Sequence, residues 1–429
     1  MVGRSRLGRN FGWLWASYAV SAYGSGLGFG ALPLIAVLAL RAGPAEVSAL
    51  SAVGPAVGAL IAVPLAPWVE FRRKRPVMIM MDVVRFAAMA TIPLAYALGL
   101  LGLAQLFVVS AVVAAAKIAF NAASGAYLKG LVRPDDLLVA NARFESTNWS
   151  SIAVGPPLGG AAIGLFGPVT TVVADALSYL LSALGITAIR DPDETPRTRG
   201  KSPLRAGALL DGWRHIMGHP VLRPLYLNQV CVAGLIMATE PLLAVLLLRT
   251  LGFPPWQYAL AFAAPCLGGL IGSRAARRVV HRFGRHRVFR IVGTLRAVWL
   301  IGLAFVGPGV VGLVTVMAVE LAIIVHMSLY GPVLATYRLE HTPEHLVART
   351  LTAWSIGQQA SIAVLTALAG LLADVTGPRT ALTVAGLLIL ATPLLLPRAT
   401  VDGRPGSSRL RGEGGYPHRL QDEADSANP

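Results

Sequence analysis

Pro64-Leu65-Ala66-Pro67-Trp68-Val69-Glu70-Phe71-Arg72-Arg73-Lys74-Arg75-Pro76 puts four consecutive basic residues between two long, mostly apolar runs. Each run has about 20 residues, enough for a helix to cross the hydrocarbon core of a bilayer. A basic knot at such a junction holds the helix end on the cytoplasmic side. Something close to it returns in the second half of the chain. There Gly268-Gly269-Leu270-Ile271-Gly272-Ser273-Arg274-Ala275-Ala276-Arg277-Arg278 leads into His281-Arg282-Phe283-Gly284-Arg285-His286-Arg287. Recurrence at half the chain length marks an internal repeat, and two repeated sets of membrane helices are the expected architecture.

Composition points the same way. The 429 residues are 55% hydrophobic and only 14% charged, with a mean hydropathy of +0.63, whereas a soluble domain carries about 25% charged residues. The net charge of +16 raises the question of nucleic acid, but the basic residues fall in alternate loops, which is a topology signal. Cys231 and Cys266 both sit in apolar runs and read as small buried residues. Arg4, Arg6 and Arg9 precede the first apolar run, and more helix follows Ser17 and Ala22. A first span is therefore expected here, not a cleaved leader.

Twelve spans are expected, near 11–40, 47–69, 76–98, 103–128, 139–164, 168–189, 224–248, 255–279, 288–307, 309–335, 348–373 and 378–397. With the amino terminus inside, Arg72 to Arg75, Lys129, Arg133, the 190–223 segment, the Arg274 to Arg287 cluster and Arg338 share one side. Arg41, Arg249 and Arg379 fall on the other, so both termini are expected in the cytoplasm, in a multi-pass cytoplasmic-membrane protein. The expected parts are a cytoplasmic N-terminus (1–10), an N-terminal six-helix bundle (11–189), a linker with an amphipathic helix over Leu204 to Met217 (190–223), a C-terminal bundle (224–397) and a disordered cytoplasmic tail (398–429).

The knot, with Asp82 and Arg85 six to nine residues past Pro76, resembles the loop between the second and third helices of the major facilitator superfamily. The resemblance is to its actinobacterial drug and secondary-metabolite exporter branch, including transmembrane secretion effectors and macrolide-efflux-like proteins. Members carry a Gly, then an Asp, then a basic run and a Pro; here Ala66 stands at the Gly, Glu70 at the Asp and Phe71 at the first basic residue. Gly155-Pro156-Pro157-Leu158-Gly159-Gly160 in the fifth span is similar to the motif of exporters in that superfamily, although Ser151 stands where an earlier glycine is found. Bent-helix packing accounts for the same residues. Relatives often carry an acidic residue where this chain has Ser25. The resemblance implies a secondary transporter that exports a drug or secondary metabolite by antiport, contributing to antibiotic resistance.

Residues that are costly in a bilayer supply the candidate site. Glu240, beside Pro241, and Glu320 are the candidates for carrying a proton; the alternative for Glu320 is neutralising Arg296. Lys117 and Asn121 in the fourth span, Arg296, His326, Trp354, Gln358 and Gln359 are candidates for a cavity that meets the substrate, or else for helix-to-helix contacts. The alternative to export is import of a nutrient or an organic anion, which Lys117 and Arg296 would suit. Glu70 reads as a latch for Arg72, Arg73, Arg75 or Arg143, or the basic loop merely faces headgroups. Asp82 and Arg85 satisfy each other or a neighbouring helix. Gly284 and Arg285 belong to the matching loop of the second half, and Asp175 reads as packing with the Asn148 region.

Gly200-Lys201-Ser202 lacks the glycine and strand of a phosphate loop, and Pro343 interrupts His341-Thr342-Pro343-Glu344-His345 as a zinc motif. No cofactor, metal or enzymatic activity is expected. The expected partners are a small-molecule substrate, protons and the lipid bilayer, with no nucleic acid, for a monomeric chain. The rival from another class is a structural or regulatory membrane protein that does not transport.

Overall fold

The computed structural model describes residues 7–28, 30–70, 72–133, 136–167, 169–189, 206–343 and 346–397. Sixteen α-helices fall within them: α1 (Gly8–Leu27), α2 (Ala31–Leu38), α3 (Pro44–Glu70), α4 (Lys74–Ala97), α5 (Leu103–Leu131), α6 (Leu137–Phe166), α7 (Thr170–Thr187), α8 (Ala206–Gly218), α9 (Leu222–Val245), α10 (Pro255–Ala263), α11 (Leu267–Phe283), α12 (Arg285–Arg287), α13 (Gly293–Val298), α14 (Gly309–Glu340), α15 (Val347–Thr376) and α16 (Pro378–Ala391). Among the described residues, 11 segments are long and apolar enough to cross a membrane. The expected span at 255–279 does not join them as one run. It is built from α10 and α11 around a short 3-10 turn at Ala264–Cys266, and Arg274, Arg277 and Arg278 lower the hydropathy of its second part.

The first span, expected as one helix, is broken in two. Gly30 takes φ +69° between α1 and α2, a left-handed conformation that costs glycine nothing because it has no Cβ. The expected helix over 288–307 is likewise irregular, passing from a π-turn at Val288–Val292 through α13 into a 3-10 stretch at Trp299–Phe305.

Helix contacts repeat between the two halves of the chain. The neighbours α1 and α7 correspond to α9 and α16, and the neighbours α3 and α5 to α11 and α14. The halves meet where α3 lies along α15 and where α6 lies along α10, a pseudo-symmetric pair of seams. Gly370 abuts Ser48, Gly160 abuts Ala259, and the Arg249 guanidinium donates to the carbonyls of Ala42 (2.6 Å) and Arg41 (3.3 Å). These contacts lie towards one end of the bundle, called here the seam end. The basic loops lie at the other.

Helix α8 packs along α15, with Arg349 Nη1 donating to Asp211 Oδ2 at 3.0 Å. Beyond it, His219 Nδ1 accepts the backbone N–H groups of Val221 (3.2 Å) and Leu222 (3.1 Å), capping α9. The His215 and His341 rings stand 6.1 and 5.7 Å from the His219 ring. Burial and these two imidazoles hold the His219 pKa below its ordinary value.

Candidate functional site

In the first half, a polar cluster forms where α1, α4, α5 and α7 converge. Asp82 and Arg85, three apart on α4, are buried and ion-paired. The Arg85 guanidinium lies between the rings of Phe120 (4.6 Å) and Tyr179 (4.4 Å), so a cation is held by one carboxylate and two π faces. Asp175 accepts from Ser25 Oγ (3.1 Å) and Tyr179 Oη (3.2 Å), and Ser25 and Tyr179 are 2.9 Å apart. The expectation that Asp175 packs with the Asn148 region is thereby corrected. Gly24 and Gly28 have no side chain to keep α1 away from α7, so the carboxylate meets α1 instead.

Lys117 lies mid-way along α5. It is exposed, yet it interacts electrostatically with Arg85 and Asp175, both buried inside the bundle. Its ammonium therefore lies within electrostatic reach of the interior polar cluster. Among the described residues no carboxylate pairs with it. Asn121, one turn further, is also exposed.

The second half brings together what the sequence left separate. Glu240 on α9 and Glu320 on α14 are close enough to interact electrostatically with each other, and Tyr258 on α10 feels both. Tyr258 precedes Ala259, which abuts Gly160 of α6, and its ring comes close to Gly30 at the break between α1 and α2. Nothing in the sequence marked Tyr258, because its partners come from two other helices.

Arg296 is fully buried and takes neutral partners. Nη1 donates to Gln229 Oε1 at 2.8 Å, Nη2 to Asn228 Oδ1, and the guanidinium lies 3.7 Å from the Tyr330 ring centroid. Glu320 is not its ion-pair partner; both Nη atoms are taken up within the second half, while the buried Nε has no hydrogen-bond partner among the described residues. Trp354 is also core: it meets Tyr226 edge-on at 5.0 Å and carries Arg338 at 4.8 Å. Gln358 and Gln359 are half-buried, and Gln359 reaches across to Gly58 of α3. His326 Nδ1 lies 2.6 Å from its own helix's Ala322 carbonyl oxygen, and its ring faces Trp299 at 6.0 Å.

At the basic end, Arg75 donates to the last carbonyls of α7, Ile186 (3.2 Å) and Thr187 (2.7 Å). Arg72 and Arg73 are exposed, and Arg143 lies 5.9 Å from the Phe11 ring centroid. After Gly284, at φ +77°, Arg285 grips Glu340 with both Nη atoms, one at 3.0 Å. The Glu70 side chain, residues 190–205, residues 398–429 and Glu344 and His345 lie outside what is described.

In α6, side chains at Gly155 and Gly159 would overlap the backbone of Gly26 and Leu27, and one at Gly160 would overlap Ala259. One turn of small residues thus lets α6 touch both α1 and α10, with Pro156 and Pro157 inside a continuous helix.

An all-helical chain of many spans, with repeated halves, polar groups in its interior and a seam at one end, defines a secondary transporter of the membrane, not an enzyme. The sequence pattern of the Major Facilitator Superfamily matches residues 14–337, and the chain belongs to that family. It is 27% identical over 426 residues to the multidrug efflux pump Tap of Mycobacterium tuberculosis (strain ATCC 25618 / H37Rv), covering 91% of this chain and 96% of that protein. A Mycolicibacterium fortuitum protein of the same name is 27% identical over 274 residues, 60% of this chain and 61% of that protein. The fold matches a crystal structure of the nucleoside transporter NupG with a TM-score of 0.70 at 11% identity, over 90% of this chain and 99% of that one. It also matches a bacterial homologue of the human lysosomal transporter Spinster, with a TM-score of 0.70 at 14% identity over 92% and 95% of the two chains.

Proposed function

We propose that this protein exports small amphipathic compounds in exchange for protons, by alternating access between two six-helix bundles at 11–189 and 224–397. The 190–223 segment joins them, both termini are cytoplasmic, and the twelfth span is the α10–α11 pair. The observation that carries the reading is the electrostatic proximity of Glu240, Glu320 and Tyr258 on three helices, Tyr258 standing next to Ala259 at the α6–α10 seam. Two like charges in a low-dielectric interior repel, so the pair is a place where a proton changes the energy of the surrounding helices. Because the α6–α10 contact lies beside it, protonation is coupled to whether that end is closed. The name of the mycobacterial relatives, multidrug efflux pumps, supports the direction. In proteoliposomes, substrate-induced proton movement should be lost or reduced in stoichiometry in both Glu240→Gln and Glu320→Gln. Parent stoichiometry in both variants overturns the assignment.

Import of a nutrient or an organic anion is the second reading, favoured by Lys117, which is paired with no carboxylate among the described residues and lies within electrostatic reach of the interior cluster. Accumulation assays in cells with and without the gene separate the two, since greater retention of the true substrate on expression excludes export. Glu70 remains proposed as a latch at the basic end. Glu70→Gln should slow turnover and leave substrate affinity unchanged.

A further inference from the structure

Two recesses at the basic end share one design. The first is lined by Arg72, Arg73, Pro76, Val77 and Met80 at the start of α4, with a volume of about 400 Å³. The second is lined by Arg287, Arg290, Ile291, Thr294 and Leu295 at the start of the matching helix of the second half, with a volume of about 570 Å³. One register shift relates Arg72 to Arg287, Pro76 to Ile291 and Met80 to Leu295. In both, arginines stand at the loop and apolar side chains follow one and two turns deeper. Val77 is buried and forms the floor of the first, while Met80, Ile291 and Leu295 are exposed along outward helix faces.

We propose that each recess is a binding site for one anionic phospholipid of the leaflet on the basic side. The headgroup phosphate sits on the arginines, and the upper part of an acyl chain lies along the apolar stripe. The extents agree: Arg287 and Leu295 are eight residues apart, so the apolar stripe continues for roughly two helical turns beyond the arginine. So does the charge. Arg287 and Arg290 are exposed and, among the described residues, neither is ion-paired with a carboxylate; Glu340 is held by Arg285. A guanidinium pair presents its donors in a fork that matches phosphate oxygens, and a surface that leaves this charge uncovered next to apolar side chains fits an amphiphile with an anionic head. A soluble anion would meet the arginines but leave the stripe empty, and a zwitterionic lipid would bring its own cation to a positive site. The repeat of the design on both halves ties it to the helices α4 and α13, which carry the interior arginines Arg85 and Arg296 further along.

Native mass spectrometry of the full-length protein in detergent tests this with phosphatidylglycerol, phosphatidylcholine and inorganic phosphate as probes. The parent should retain two phosphatidylglycerol molecules more tightly than any phosphatidylcholine. Arg287→Gln/Arg290→Gln should retain one, Arg72→Gln/Arg73→Gln one, and the fourfold variant none. Ile291→Asn/Leu295→Asn, which keeps every charge, should weaken the second site at least several-fold, and thermal unfolding of each variant in lipid-free detergent shows whether it remains folded. Equal phosphatidylglycerol retention by the parent and the folded fourfold variant overturns the proposal. So does inorganic phosphate that displaces the lipid and stabilises equally, since the site is then for a soluble anion only. Lipid counting is independent of transport direction and proton coupling, so a failure here leaves the transport reading untouched.

Discussion

Arg85 and Arg296 are each buried inside a helix bundle, and the chain satisfies them by opposite means. Arg85 has a carboxylate and two aromatic faces; Arg296 has two neutral amides and a tyrosine ring. The first arrangement makes the pair interdependent. Arg85→Gln leaves Asp82 buried without its cation and should cost about 3–5 kcal/mol, read as a lowered thermal unfolding midpoint in detergent. Adding Asp82→Asn should restore most of that loss. Lys117→Gln should leave stability nearly unchanged, because no carboxylate is paired with it, while shifting transport away from anionic compounds in a charge-matched panel; an unchanged preference counts against a substrate-facing Lys117. The Asp82–Arg85 pair was legible because both residues lie on one turn of one helix. The Asp175–Ser25 contact was not, since its partners are 150 residues apart and only the packing of α1 on α7 joins them. Glu240 and Glu320 were legible as costly residues, but their electrostatic proximity depends on how α9 and α14 are placed in the bundle, which no local pattern encodes.

Among the elements, α6 was read from its glycines and prolines, and the structure supplies the reason for Gly155, Gly159 and Gly160. Gly155→Ala forces a methyl into the backbone of Gly26, which cannot rotate away, and should cost about 1–3 kcal/mol. Gly164→Ala on the same helix meets nothing within 4 Å and should be neutral or stabilising by up to about 1 kcal/mol. Comparing the two by thermal unfolding separates close packing from helix propensity. The cap at α9 makes a pH prediction. Its acceptor, His219 Nδ1, must be unprotonated, and the folded chain holds the His219 pKa below the ordinary imidazole value. The unfolded chain therefore takes up the proton first. The cap contributes fully above about pH 6.5 and is lost as pH falls through the lower folded value. The parent should lose thermal stability on acidification, and His219→Asn, which keeps an oxygen acceptor that does not titrate, should flatten that dependence. Most helix positions were legible from apolar run lengths, the span expected at 255–279 being the exception. The breaks at Gly30 and at Ala264–Cys266 were not, because packing chooses which of many glycines and prolines bends a helix.

For the molecule as a whole, the seam end joins the halves through small residues and through the Arg249 guanidinium, which donates to backbone carbonyls and to no carboxylate among the described residues. Gly370→Val should prop that seam open by pressing on Ser48, which is buried beneath it. A cysteine at Ser48 should resist a membrane-impermeant maleimide in the otherwise unchanged protein and react readily in the Ser48→Cys/Gly370→Val variant; equal labelling would show that α3 and α15 part without that contact. The repeat of the halves was legible in the recurring basic knots, whereas the pairing of α3 with α15 and α6 with α10 was not, because it depends on how two bundles lean together. None of the four ion pairs among the described residues crosses from one half to the other. Dissolved ions screen charge and leave dispersion contacts almost untouched. Parting the seam should therefore proceed at nearly the same rate in dilute and in concentrated electrolyte, while any step that brings the basic loops together against a carboxylate should change with ionic strength. Two kinetic phases with different salt slopes would then identify which mouth of the protein is moving.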